Sequence, residues 1–174
     1  MSTTSTSTGI KKLEEEYKKI RKKPVFTQIQ GGIAPVKKYE NGKAKRDFLH
    51  WSGNITGPKD TPYYCGIFYF EMKFTNEYPK RGPIDVQMRT KIYHPNIDSS
   101  NGHICVSYFS SWKETYDVIG IVNTIFDLLD DPNPDSSYNS VNNEKAKEFN
   151  SKYATLDQEY DWNNSWGKGW DNSI

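Results

Sequence analysis

The stretch "IFYFEMKF", residues 67–74, decides the fold. Phe68, Phe70, Met72 and Phe74 alternate with Tyr69, Glu71 and Lys73, a period of two that turns one row toward a core and the other toward water. "IDVQMR" from Ile84 repeats the pattern, with Ile84, Val86 and Met88 set against Asp85, Gln87 and Arg89. Leu49, Trp51 and Ile55 suggest a third strand, and "VFTQIQ" from Val25 a weaker fourth. The Gly and Pro clusters at 31–35, 57–62 and 79–83 read as connections. On either side the period changes to that of a helix. Ile10, Leu13, Tyr17 and Ile20 share one face until Pro24 stops it; Val118, Ile121, Val122, Ile125 and Leu129 form a second, ended by Pro132 and Pro134. A third runs from about Asn142 through Ala146, Phe149, Tyr153, Leu156 and Tyr160. The expected architecture is α+β: an N-terminal helix, a four-stranded antiparallel meander sheet, a long loop, then central and C-terminal helices.

A chain of 174 residues reads as one domain, residues 10–162, with two tails. Residues 1–9 are rich in Ser and Thr and are expected to be disordered, since they cannot bury enough surface to offset ordering entropy. Residues 163–174 form a tail rich in Trp, Gly and Asn. Lys plus Arg total 23 against 22 for Asp plus Glu, so a net charge of +1 exerts no whole-protein pull toward nucleic acid or membrane. No basic leader or long apolar run appears, which predicts a soluble intracellular protein with two free thiols. Two cysteines about forty residues apart and three scattered histidines lack metal-ligand spacing, so no metal is expected.

The chemistry concentrates in "KIYHPNIDSSNGHICVSYFSSW", Lys91 to Trp112. Cys105 there is either a nucleophile or a small apolar residue filling a core. A long stretch without clear periodicity, yet carrying Tyr93, Pro95, Ile97, Ile104, Val106 and Trp112, reads as a packed functional loop. His103, two residues before Cys105, invites a Cys-His dyad, but no hydrolase signature frames the cysteine.

The pieces "ITGPKDTPYYCGIFYFEMKF", "NEYP", "TKIYHPNI", "NGHIC", a Trp seven residues after the cysteine, and "LLDDPNPD" together resemble the ubiquitin-conjugating enzymes, in that family's order across about residues 10 to 160. The resemblance implies an acyl carrier. Cys105 matches the cysteine that takes ubiquitin from an activating enzyme as a thioester and passes it to a lysine amine. Asn96 matches an asparagine that serves as oxyanion donor or as loop organiser. His94, Pro95 and Tyr93 match the support of the active-site loop, and Asp135 and Ser136 its gate. Serine stands where relatives often carry a base, and Ser107 where many have an acidic residue. Lys11, Lys12, Lys18 and Lys19 match the activating-enzyme face, diluted by Glu14, Glu15 and Glu16. The ligase-facing positions depart from the family: Lys80, Lys113, Glu114 and Thr115 replace an aromatic and a Ser-Pro-Ala. Cys65 reads as incidental. The resemblance implies no bound cofactor, ATP being consumed by the activating enzyme. Its implied partners are ubiquitin or a ubiquitin-like modifier, the activating enzyme, a ligase and protein substrates, with no nucleic acid and no membrane. A monomer in the cytoplasm, the nucleus or both is expected. The rival readings are a non-catalytic ubiquitin-binding variant of the same fold and a conjugating enzyme for a ubiquitin-like modifier.

Overall fold

The structure, a computed structural model, describes residues 7–22, 32–104, 107–133 and 143–155, without the side chains of 107 and 108. Helix α1 is Thr8–Lys22. Strands β1 (Ile33–Glu40), β2 (Lys43–Thr56), β3 (Ile67–Lys73) and β4 (Asp85–Met88) follow, then a short α2 (Ser107–Ser110), α3 (Val118–Asp130) and α4 (Asn143–Tyr153). The sheet is an antiparallel meander in the order β1-β2-β3-β4. Its inward row, Trp51 and Ile55 of β2, Phe68, Phe70 and Met72 of β3, and Val86 and Met88 of β4, joins one buried cluster with Leu13, Tyr17 and Ile20 of α1. Val118, Ile121, Val122, Ile125, Leu128 and Leu129 of α3 complete it. In α1 the marked residues Leu13, Tyr17 and Ile20 are buried and Ile10 half-buried, and in α3 the marked stripe is buried; α4 ends at Tyr153, followed by a bend, and buries only Ala146 of its stripe, Leu156 and Tyr160 lying outside the described residues.

Four differences from the sequence reading have physical reasons. The first strand of the sheet is β1, which begins inside the stretch read as a connection; residues 25–30, where a strand was expected, lie outside the described residues. Pro35 hides β1 from a pattern search, and it is tolerated because β1 is an edge strand whose register shifts between Pro35 and Val36. Helix α1 begins at Thr8, ahead of the expected boundary, and Gly9 is buried where a Cβ would meet the Asn76 carbonyl oxygen at 2.7 Å. Ile84 stands outside β4 and is 51% exposed, whereas Gln87, expected outward, is buried and donates from its amide to the Asn101 carbonyl. Glu71, in the outward row, is also buried, because His50 Nε2 contacts its Oε2 at 3.1 Å and Arg89 approaches its Oε1.

Glu16 departs furthest from its reading as a surface acid. It is only 6% exposed; one carboxylate oxygen accepts from the Tyr78 hydroxyl at 2.7 Å and the other from the Val118 N–H at 2.9 Å. Val118 opens α3, whose cap Asp117 accepts from Gly120 N–H at 2.8 Å, so Glu16 takes up a helix N–H that the cap leaves over. One carboxylate therefore ties α1, the loop after β3 and the start of α3 together. Burial raises its pKa, while the two hydrogen bonds oppose that rise. Replacing Glu16 by Ala leaves two buried donors without an acceptor. The expected loss of stability is about 3 kcal/mol by urea denaturation, with Glu16→Gln, which keeps one acceptor oxygen, losing less.

Candidate active site

The turn His94–Ile97 is built from polar groups buried as deeply as the core; His94 and Asn96 are both fully buried. Asn96 N–H donates to His94 Nδ1 at 3.0 Å, which places the ring proton on Nε2. Nε2 then donates to the Leu128 carbonyl at 2.8 Å. That carbonyl lies in the last turn of α3, where helix geometry provides no N–H partner. The Asn96 amide continues the tie: its Nδ2 donates to the Asn133 carbonyl at 2.6 Å and its Oδ1 accepts from Asn133 N–H at 2.8 Å. A side-chain amide thereby stands in for a peptide group and holds the segment leaving α3 against the turn. Both nitrogens of His94 are engaged and burial pulls its pKa down to about 4, so it is a neutral brace with no proton to exchange. Pro95 is half-buried between them. The Tyr93 carbonyl accepts from the buried Tyr63 hydroxyl at 3.0 Å, and Lys145 of α4 lies over the Tyr93 ring at 4.6 Å.

Beyond the turn the chain is more regular than its sequence suggests. Ile97 bridges both His94 and Ile104, and Asp98 N–H donates to the His103 carbonyl at 2.9 Å, so residues 97–104 form a small hairpin. Its tip is closed by Asp98, whose Oδ1 accepts from Ser100 N–H and hydroxyl, and by Gly102 at φ 80, a left-handed conformation suited to glycine. The second arm adds to the sheet edge: Met88 N–H donates to the Gly102 carbonyl at 2.8 Å, His103 bridges Gln87, and Ile104 N–H donates to the Val86 carbonyl at 3.1 Å. Cys105 follows Ile104 directly; Cys105, Asp135 and Ser136 lie outside the described residues. Cys65 is exposed, at φ 63 in the turn before β3.

The two surface sets are brought side by side. Trp112 Nε1 donates to the Pro79 carbonyl at 2.7 Å and its ring packs on Gly82, Tyr78 and Tyr116, joining the Lys80 loop to the Lys113–Thr115 turn. Lys80, Lys113, Glu114 and Thr115 are all exposed. Lys12 and Lys19 of α1 border the same groove as Glu114 and Thr115, with Glu16 at its floor. Lys11 is exposed, and Lys18 pairs with Glu14 at 2.8 Å. Sequence reasoning missed Glu16, Tyr63 and Asn133, none of which carries a local signal. Among the described residues no group of three or more His, Cys, Asp and Glu is placed to hold a metal.

A four-stranded meander flanked by helices, carrying a pinned His-Pro-Asn turn nine residues before a cysteine, defines the catalytic fold of ubiquitin conjugation. The family model described as ubiquitin-conjugating enzyme matches residues 12–161. Ubiquitin-conjugating enzyme E2 3 of Arabidopsis thaliana is 34% identical over 152 residues, covering 84% of this chain and 93% of its own. Ubiquitin-conjugating enzyme E2 1 of Caenorhabditis elegans is 34% identical, covering 78% of this chain and 65% of its own. A Plasmodium yoelii protein, whose crystal structure carries a provisional assignment as a ubiquitin conjugating enzyme, superposes with a TM-score of 0.69 at 28% identity, over 87% of this chain and 98% of its own. The chain belongs to the ubiquitin-conjugating enzyme family and is a transferase of that class.

His94 has a folded-state pKa depressed below its unfolded value, so the unfolded chain binds the extra proton and stability rises with pH. The contribution is fully present above about 6.5 and is lost as pH falls toward about 4. Denaturation between those values is expected to show a loss of about 3 kcal/mol from this group, and His94→Gln flattens that part of the profile.

Proposed function

We propose that the chain takes ubiquitin from an activating enzyme as a thioester on Cys105 and transfers it to lysine amines of protein substrates, with a ligase. The observation that carries this reading is the placement of the segment leading into Cys105. Its last described residue, Ile104, is hydrogen-bonded to β4 and bridged to Ile97, and Ile97 is next to the pinned Asn96. A thiolate suits the exchange because it is both a strong nucleophile and a good leaving group. Attack by lysine makes a tetrahedral oxyanion. Asn96 serves it directly as donor or by holding the loop, and its pairing with Asn133 favours the organising role. Asp135 and Ser136 form the gate on the segment that continues from Asn133, with Ser136 able to orient an amine but poorly suited to accept its proton at neutral pH.

The activating enzyme docks on α1 through Lys11, Lys12, Lys18 and Lys19, and the ligase on the loops of Lys80 and Lys113–Thr115. Charged side chains there, in place of apolar anchors, favour a ligase with a complementary charged face. No cofactor is bound, and ATP is spent by the activating enzyme. The protein works in the cytoplasm, the nucleus or both. Intact Cys105 and an intact His-Pro-Asn turn favour the enzyme over a non-catalytic binding variant.

A charging reaction with ubiquitin, its activating enzyme and ATP tests this. A reducible adduct one ubiquitin heavier is expected, lost in Cys105→Ser and retained in Cys65→Ser. An adduct formed only with SUMO or NEDD8 and their own activating enzymes would reassign the modifier. No adduct with any of the three would move the reading to the binding variant.

A further inference from the structure

Among the described residues, helix α4 leaves most of its apolar stripe uncovered. Ala146 is buried, while Phe149 and Tyr153 stay half-buried. Their rings run in a row with Tyr93, the residue before the pinned His94. The centroids of Tyr93 and Phe149 are 6.3 Å apart, and those of Phe149 and Tyr153 4.6 Å. Lysines stand over both ends of the row. Lys145 Nζ lies 4.6 Å from the Tyr93 centroid, and Lys91 and Lys152 lie 4.8 and 5.0 Å from that of Tyr153. Cation–π contact holds each ammonium against a ring face, and Lys145 and Lys152 are exposed to an incoming anion. The acids of α4 are Glu144, which pairs with Lys147 at 3.3 Å, and the exposed Glu148. The face is an aromatic strip edged by cations. Its complement is an extended segment that is apolar on one edge and acidic on the other.

The chain carries such a segment directly after the strip. In "LDQEYDW", residues 156–162, Asp157, Glu159 and Asp161 alternate with Leu156, Gln158, Tyr160 and Trp162. In an extended backbone a period of two sends the acids to one side and Leu156, Tyr160 and Trp162 to the other. We propose that residues 156–162 return along α4 and dock on the strip of Tyr93, Phe149 and Tyr153, with aromatic side chains on the rings and carboxylates on Lys91, Lys145 and Lys152. The point of departure suits this path. Ala154 N–H donates to the Asn150 carbonyl, the Ala154 carbonyl accepts from Ile67 N–H at 3.1 Å, and the chain bends at 154–155, so it is fastened beside β3 as it leaves the helix. Lys145 and Tyr153 are separated by about 12 Å of helix, which about four extended residues span. The tether holds the segment at an effective concentration on the order of millimolar, so contacts that are weak between separate molecules suffice within one chain. The docked segment covers the Tyr93 ring and with it one flank of the His-Pro-Asn turn.

Backbone amide relaxation of the isotope-labelled full chain, read at Glu159 to Trp162, tests the docking. Wild type is compared with a strip variant (Lys91→Glu, Lys145→Glu, Lys152→Glu), a segment variant (Asp157→Lys, Glu159→Lys, Asp161→Lys) and the two combined. Unchanged shifts of the α3 core amides show that each variant folds. The expected order parameters are about 0.85 in wild type and below about 0.6 in either variant, with order regained in the combination, where the charges are exchanged. If the strip variant does not fold, Lys152→Glu alone replaces it, and a fall in order there and in the segment variant is the expected result. Order parameters below about 0.6 in wild type overturn the docking, including the case in which an added acidic peptide shifts the strip signals and an external partner is the occupant. Order that survives both variants, or that the combination fails to restore, overturns the pairing of these acids with these lysines.

Discussion

The structure depends on a pair of buried polar residues spending all their hydrogen bonds on the end of one helix. His94 takes up a carbonyl that α3 cannot satisfy, and Asn96 exchanges two hydrogen bonds with Asn133 just beyond. A buried amide or imidazole left unpaired would cost about 1–3 kcal/mol, so the turn has little freedom to adopt another shape. The consequence reaches past the turn. Ile97 leaves it already registered against Ile104, and Ile104 against β4, so the approach to Cys105 is held from two sides.

A second buried group does comparable work at the other end of α3. Glu16 joins α1 to the Tyr78 loop and to the first turn of α3, while Trp112 clamps the Lys80 loop to the Lys113–Thr115 turn. The exposed lysines of α1 and the loops of Lys80 and Lys113–Thr115 are thus tied to the same start of α3. One groove bears Lys12 and Lys19 on one side and Glu114 on the other.

How much of this could be read beforehand follows from the reach of each signal. Residues 67–74 declare a strand because a half-buried strand must alternate, and α3 declares itself through its apolar stripe and the prolines after it. β1 does not, since Pro35 and a run of exposed charges look like a connection. Glu16 and Glu71 are invisible to a pattern that sends charges outward; each is buried only because its partners arrive from distant parts of the chain. The Asn96 tie is of the same kind, joining residues 37 apart in sequence. Cys105 is singled out by the family resemblance and lies outside the described residues.

The central claim is that the His-Pro-Asn turn is locked to the end of α3 by buried side-chain hydrogen bonds. Native-state amide hydrogen exchange tests it most directly, read at Asn96 and Asn133, whose N–H groups donate to His94 Nδ1 and Asn96 Oδ1. The lock predicts that both amides exchange slowly and together, with a protection free energy near that of global unfolding. Fast exchange at Asn133, at the rate of an exposed loop while the core of α3 stays protected, would contradict it.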